Sequence, residues 1–474
     1  MADLLNQEDM AMMGRKKFDM KQHHNLCLDD LVSPNDLYRK IEETLDFGFI
    51  YDLAKEAYSH TGQPSFDPVV FFKIELVGFL EGIHEDRALE RRIKDSLAIR
   101  WFLGYDLDEV PPVHSTISRT RKDRISKVLY QAVFDHILGI CIRRQLVKGH
   151  HQSIDSTLLK ANASLESLEV LQPRVLEHYD KTVGNNPSES SNAPGPTVPI
   201  PSGSQRRDAE AKATKKPGFS SDAYYKASAS VDEACGIITH AQVDDANKND
   251  SELLRPIVRG VKERLSQHSL SFQSLATDKG FYSAENLKWL SDQMLTAYMT
   301  PRRLNAIEGD FAREHFHYDK ENDRVICPQG KTLRFRQIDH KLSHLRRYRA
   351  REKDCRACPK KFLCTQGKAR TIQFSIYENL IVDALKRSES PEAKAAHRLR
   401  NIQAEGTFAH LKEVLKFHKL YCLGLQAAAK RFMMGCAVIN LKKLLRFWRH
   451  HCQLFCQTLR FFKETIVNQG NFAF

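Results

Sequence analysis

At Gly149 the hydrophobic pattern of this 474-residue chain changes period, and that change limits the folds open to it more than any other feature. Before it, apolar residues recur at helical spacing. "DPVVFFKIELVGFLEGI" opens on Asp67-Pro68, a helix-start pair, and "DRALERRIKDSLAIRWFLGY" repeats the pattern with a basic outer face. After it, "HQSIDSTLL", "YYKASASVD" and "GIITHAQV" alternate as strands do, with Gly236 at the turn between the last two. "SELLRPIVRGVKERL" then reads as an amphipathic helix that Pro256 should bend or start. "SFQSLATDKGFY" is a strand ending in a loop, "SAENLKWLSDQM" a helix, and "TAYMTPR" a last strand. Strands followed by helices predict a mixed α/β (α+β) core behind a helical N-terminal domain.

The expected boundaries follow from these shifts. A helical domain spans 30–148, and the first part of the core spans 149–303. A basic, cysteine-bearing insertion covers 304–370, core helices 371–450 and a tail 451–474. Residues 185–205, "NNPSESSNAPGPTVPIPSGSQ", are rich in Pro, Ser, Asn and Gly and read as a flexible linker.

Charge narrows the partners. The net +13 favours a polyanion, either nucleic acid or an anionic membrane surface. From Lys394 onward, 14 Lys and Arg stand against three Glu and no Asp, a regional excess expected of a binding face. The apolar run "FMMGCAVINL" is too short to cross a bilayer and reads as a buried helix, so no membrane partner is expected. The N-terminal residues lack the order of a secretory signal, and eleven Cys, an odd number, argue for reduced thiols in a cytoplasm. In "VPPVHSTISRTRKDR" two prolines break the chain and Ser115 or Thr116 can cap a helix. Arg119, Arg121, Lys122 and Arg124 crowd its first turns. Two helices, a break and a basic helix suit a helix-turn-helix reader of DNA, and suit a plain helical bundle equally well.

Three acids stand where chemistry would need them: Asp155 in mid-strand, Asp278 where a strand gives way to a Gly-containing loop, and Glu405 on a helix. Converging carboxylates repel one another, and Mg²⁺ or Mn²⁺ is the usual remedy, since hard cations take oxygen ligands. Two such ions can stabilise the attacking and leaving oxygens of an in-line displacement at phosphorus. Taken singly, a turn hydrogen bond explains Asp278 and a surface position explains Glu405. Asp244, Asp245 and Asp250 are alternatives to Asp278, and His150 and His151 flank the first strand.

Together and in order, "SIDSTLLKANAS", "YYKASASVDEACGIITHAQVDDANKNDS", "ATDKGFYSAENL" and "AEGTFAHLK" resemble the DDE transposases of bacterial insertion sequences. The similarity is to the IS-eleven-eighty-two group, related to the IS-four and IS-five families. Residues 67–122 resemble the InsH-like N-terminal domain of those proteins, and the whole resemblance covers about 30 to 445. It implies a ribonuclease-H-like core and two catalytic Mg²⁺ or Mn²⁺ ions on Asp155, Asp278 and Glu405. It also implies that the protein cuts and joins double-stranded DNA at its element's terminal inverted repeats and in a target. A homodimer and a bacterial, nucleoid-associated location in the cytoplasm are further implications. Lys412 falls where related families carry a phosphate-gripping lysine. The Tyr and Arg of the IS-four signature would fall on Arg398 and Asn401, which do not match, and Arg400 is the available substitute. A transposase-derived regulator without activity, and a nuclease that cuts without joining, are the rival readings.

The insertion holds Cys327 in "VICPQGKTL" and Cys355, Cys358 and Cys364 in "DCRACPKKFLC". Four thiolates of this softness select Zn²⁺, with His340 or His344 able to complete a three-Cys site, and four unligated thiols are the plain alternative. The surrounding Arg and Lys suggest a zinc knuckle that touches DNA backbone.

Overall fold

The computed structural model describes residues 26–55, 66–163, 208, 210–214, 222–300, 311–319, 321–339 and 345–469. The expected linker at 185–205, and His340 and His344, lie outside the described residues.

The N-terminal part is helical, as its periodicity requires. Helix Pro68–Leu80 starts where Asp67 Oδ1 accepts the amides of Val69 (2.6 Å) and Val70 (3.1 Å), with Pro68 supplying the fixed φ of the first turn. Nearly all its residues are buried, so it forms the centre of the bundle. Helix Leu97–Leu103 stops at Gly104, whose φ of +79° suits a left-handed C-cap. Neither Ser115 nor Thr116 caps the basic helix, contrary to expectation. It opens at His114, whose amide and Nδ1 both meet Glu90 Oε2 at 2.7 Å. That helix, His114–Arg119, runs on as a π-turn at Thr120–Arg124 before helix Lys127–Arg143 leaves at 97°.

The mixed sheet of the core contains β1 (His151–Lys160), β2 (Lys212–Thr214), β3 (Asp222–Asp232), β4 (Ile238–Asp245), β5 (Ser274–Thr277) and β6 (Thr296–Tyr298). Its order is β4–β3–β1–β5–β6, and β2 shares the outer edge of β3 with β4. β1, β3 and β4 are antiparallel, whereas β5 runs parallel to β1 and β6 parallel to β5. Gly236 takes φ +67° in the β3–β4 turn. Helix Asp250–Gln267 neither bends into two nor begins at Pro256. An Asn249–Glu252 capping box starts it six residues earlier, and a buried face from Leu253 to Leu265 holds it across the hydrogen bond that proline removes.

The hydrophobic core does not divide at Gly149. It runs from Tyr38 through Ile154 to Leu444, because helix Leu425–Gln469 packs on helices Pro68–Leu80 and Lys127–Arg143 and on β4. The run from Phe432 to Leu441 is buried throughout, and Asn440 exchanges two 2.8 Å hydrogen bonds with the backbone of Ile238. Leu158, the apolar residue of β1 four places after Ile154, joins a satellite cluster with Tyr224 and Ala246. Among the described residues no single helix is long and apolar enough to cross a membrane.

The insertion is a second sheet. Strands β7 (His317–Asp319), β8 (Arg324–Ile326), β9 (Thr332–Ile338), β10 (Leu345–Ala350) and β11 (Thr371–Ser375) pair antiparallel in the order β11–β10–β9–β8–β7. They close over their own core of Phe316, Val325, Leu333, Tyr348, Ala350, Ile372 and Phe374. The expected boundary at 370 therefore cuts β11 from its sheet.

Candidate active site

Strand register brings the first two acids together. Ile154 pairs with Thr277 across the parallel β1–β5 ladder, so Asp155 and Asp278 are the next residues on adjacent strands, which lie ~4.8 Å apart. Asp155 is anchored by the Ser156 amide (Oδ1, 2.8 Å), and Asp278 by the Lys279 amide (Oδ1, 2.6 Å) as it caps the turn Lys279–Phe281. The third acid arrives on a helix. Pro391–Arg400 continues through a π-turn at Asn401–Glu405, a short α-segment at Gly406–Ala409 and a second π-turn at His410–Val414. Gln403 Nε2 donates to the Glu233 carbonyl (2.7 Å) and ties this helix to the end of β3.

Arg400 joins the acids. Its Nη1 lies 3.3 Å from Asp155 Oδ2 and its Nη2 lies 3.1 Å from Glu405 Oε1, while Asn401 Oδ1 also accepts from Nη2 at 2.7 Å. The Asp155 and Arg400 side chains are only 17% and 11% exposed, whereas Glu405 is 55% exposed. Burial pushes the Asp155 carboxyl up to about 6. The Ser156 amide and Arg400 pull it down, and the charges of Asp278 and Glu405 raise it further. Lys412 Nζ donates to Thr157 Oγ1 (2.8 Å), two residues along β1 from Asp155 and on the same strand face.

One participant escaped the sequence reading. His397, one helical turn before Arg400, feels the charge of Asp278 and has its pKa lowered, first by burial and then by Arg400. Its Nε2 is buried without a hydrogen-bond partner among the described residues, and so are Thr277 Oγ1 and Arg400 Nε. Helical spacing from Arg400 was the only signal that could have found it.

Hard carboxylate oxygens, a carboxyl raised by burial and further by two acids, and orphaned polar atoms beside them fit a hard divalent cation. No group of three or more His, Cys, Asp or Glu side chains among the described residues is disposed as a closed metal site. Arg400 stands between two of the acids where such a group would close.

Family comparison agrees with this chemistry. Residues 26–123 match the family described as "Transposase domain (DUF772)", and residues 326–445 match the family described as "Transposase DDE domain". The chain therefore carries a transposase DDE domain. The second match takes in Arg400, Glu405 and Lys412 but begins after Asp155 and Asp278, whose place rests on the strand register. No curated protein matches the sequence. Among solved structures, a Mos1 transposase paired-end complex with left transposon end aligns at 9% identity over 51% of this chain, with a TM-score of 0.16. The chain covers 60% of that protein's length. A piggyBac transposase synaptic complex with hairpin DNA aligns at 10% identity over 87% of this chain and 79% of the other, with a TM-score of 0.25.

The other predicted site residues divide. Arg119 and Lys122 are exposed on the basic helix. Arg121 is not available to DNA, which corrects its expected role. Its guanidinium binds Glu75 Oε1 (2.7 and 2.9 Å) and both oxygens of Asp86 (2.8 and 2.9 Å). Glu75 is fully buried and also holds Arg431 (2.7 Å) and Tyr130 (3.2 Å). Burial alone would raise the Glu75 carboxyl, but Arg121 and Arg431 override it and hold it down at about 2. The C-terminal basic excess is accordingly not all a binding face. Arg431 is internal, Lys430 donates to the Arg121 and Ile125 carbonyls, and Lys443 donates to the Gly236 carbonyl.

Asp244 pairs with Lys248 (2.9 Å), and Asp250 accepts from Ser156 Oγ (2.7 Å) and pairs with Lys226 (3.1 Å). A Cβ on Gly280 would come within 2.5 Å of Asp250 Oδ2, so the glycine after Lys279 lets the Asp278 loop close over this acid. His151 is buried, with Nδ1 2.9 Å from Ser274 Oγ, and serves packing. Cys327, Cys355, Cys358 and Cys364 line one cavity of the insertion. The Lys331 amide points at Cys327 Sγ (3.3 Å) and the Arg370 amide at Cys355 Sγ (3.5 Å).

Proposed function

We propose that the transposase binds the terminal inverted repeats of its own element, hydrolyses a phosphodiester there, and joins the freed 3′-hydroxyl to target DNA. The observation that carries this reading is Arg400 spanning Asp155 and Glu405, with Asp278 next to Asp155 on the neighbouring strand: two acids from separate elements meet at one cation and a third stands beside them. The strand order is the one expected of a ribonuclease-H-like core.

Asp155, Asp278 and Glu405 would hold Mg²⁺ or Mn²⁺, which when bound supplies stabilisation of the attacking and leaving oxygens. The protein's own groups do the rest. β1 and β5 hold two carboxylates rigidly, because neighbouring ladder hydrogen bonds fix both backbones. Arg400 keeps Glu405 facing Asp155 and can turn its guanidinium to a phosphate once another cation takes the carboxylates. Lys412, steadied on Thr157, grips the DNA backbone beside the scissile bond, and Arg119 and Lys122 add phosphate contacts on the basic helix. A homodimer would bring two element ends together.

We assign the four cysteines to a structural Zn²⁺. What supports this is that all four line one cavity of the insertion and that thiolate softness favours Zn²⁺, although among the described residues their thiols are not drawn together into a formed site.

The test incubates the full chain with a labelled element end and a target plasmid in Mn²⁺. Joined product is expected from the wild type and only a shifted, intact band from Asp155→Asn. Cleavage retained by the variant would remove Asp155 from the site, and cleavage without joining would leave a nuclease.

A further inference from the structure

We propose that the outer face of the insertion sheet is a separate DNA-binding surface, built on a cross-strand row of arginines. That the partner is DNA rests on the transposase reading; that it is a polyanion rests on the sheet itself.

One face of this sheet is fully used. Val325, Leu333, Tyr348, Ile372 and Phe374 point inward to the small core, so their strand neighbours point outward. The register sets Arg324 of β8 opposite Arg334 of β9, and Arg334 opposite Arg349 of β10. Three arginines thus stand side by side across three strands, with directly opposed Cβ atoms roughly 5 Å apart. Like charges in that arrangement destabilise a sheet, so their placement needs a compensating partner.

The acids present compensate only the ends of the row. Asp319 holds Arg324 at 2.8 Å and Glu352 holds Arg349 at 3.0 Å. Central Arg334 has no acid within ion-pair distance among the described residues. Arg336 is likewise exposed without an acidic partner there. It is the extra residue of a β-bulge, since Tyr348 pairs with Phe335 and Arg347 with Gln337, leaving Arg336 opposite nothing. A bulge re-aims the side chain it inserts, and here it leaves an exposed guanidinium beside the row.

The wider insertion agrees in sign: residues 304–375 contain 17 Lys and Arg against nine acids, a net +8. Planar guanidiniums in a row match phosphate oxygens better than they match the scattered carboxylates of a protein partner. The row lies on β8–β10, on the sheet face opposite the insertion core, to which the cysteines belong.

The test measures duplex DNA affinity of the full chain in EDTA, so that binding is read without chemistry, across a series of NaCl concentrations. Arg334→Gln/Arg336→Gln should reduce the slope of log K against log salt by about 1.8, two phosphate contacts at about 0.9 each, with a melting temperature that does not fall. A control that removes two charges elsewhere, Lys262→Gln/Lys288→Gln, should leave the slope in place. An unchanged slope in the arginine variant, or an equal fall in the control, overturns the proposal. So does a variant that loses affinity for poly-glutamate but keeps its affinity for duplex. Because no cleavage is read, a protein that never joins DNA would sink the reading of the active site without touching this result.

Discussion

Replacing Asp155 by Asn should make the metal-free protein more stable at neutral pH, although the change removes a proposed catalytic group. The carboxyl sits at about 6 in the fold against an ordinary value of 3.8, chiefly because it is buried. At about 1.4 kcal/mol for each pH unit, the ionised form therefore costs the folded state about 3 kcal/mol. The sign follows from proton binding. Between roughly pH 4 and 6 the folded chain binds this proton more tightly than the unfolded chain does, so its contribution to stability falls as pH rises through that window and is level above it. Asn imitates the protonated acid at every pH. In urea unfolding with EDTA, Asp155→Asn should exceed the wild type by up to about 3 kcal/mol at pH 7.5, and the difference should shrink toward zero near pH 4. Adding Mg²⁺ at pH 7.5 should raise the wild type and leave the variant where it was, because a cation that binds only the folded site stabilises by mass action. A variant less stable than the wild type at pH 7.5, or a difference that ignores pH, would refute the claim that Asp155 is a charged group held in an unfavourable place.

The Glu75 network predicts the opposite behaviour. Glu75→Gln leaves Arg121 and Arg431 buried beside a neutral group and should cost about 3–5 kcal/mol in denaturant unfolding at pH 7, whereas Arg119→Ala should cost almost nothing. With its carboxyl held at about 2 against 4.5, Glu75 contributes stability that is complete above roughly pH 4.5 and lost as pH falls toward 2, so the variant should show a weaker acid transition. For the insertion, purified wild type should contain one zinc per chain by elemental analysis and Cys355→Ser/Cys358→Ser none. Equal zinc in both, or none in the wild type, rejects the knuckle.

What could be read from the sequence depended on how local the determining interaction is. Asp155 and Asp278 were legible because each ends or interrupts a period-2 run, and a glycine marks the turn after the second. The role of Arg121 was not legible. A basic residue on a short helix reads as surface, and the acids that bury it lie 35 and 46 positions back along the chain. The sheet of the insertion was hidden for a related reason. In "TLRFRQI" and "LRRYRA" the outward residues are arginines, and so dense a charge masks the alternation that would announce a strand.

The mismatch with the IS-four signature has a geometric answer. Counting back from Glu405 along an ordinary α-helix places the signature's partners at Arg398 and Asn401, and neither reaches the acids. The helix is not ordinary there: Asn401–Glu405 forms a π-turn, in which hydrogen bonds close five residues apart rather than four. A π-turn accommodates one residue more than the α-helix it interrupts, so every position before it is displaced by one relative to positions after it. Arg400 and His397 are each one place earlier than the count requires. Arg400 pairs with Glu405 and Asp155, and His397 lies in the field of Asp278. The departure in sequence and the irregularity in the backbone thus offset each other. A motif scored by spacing alone misses this chain, whereas one scored by the helix face presented to β1 and β5 finds it.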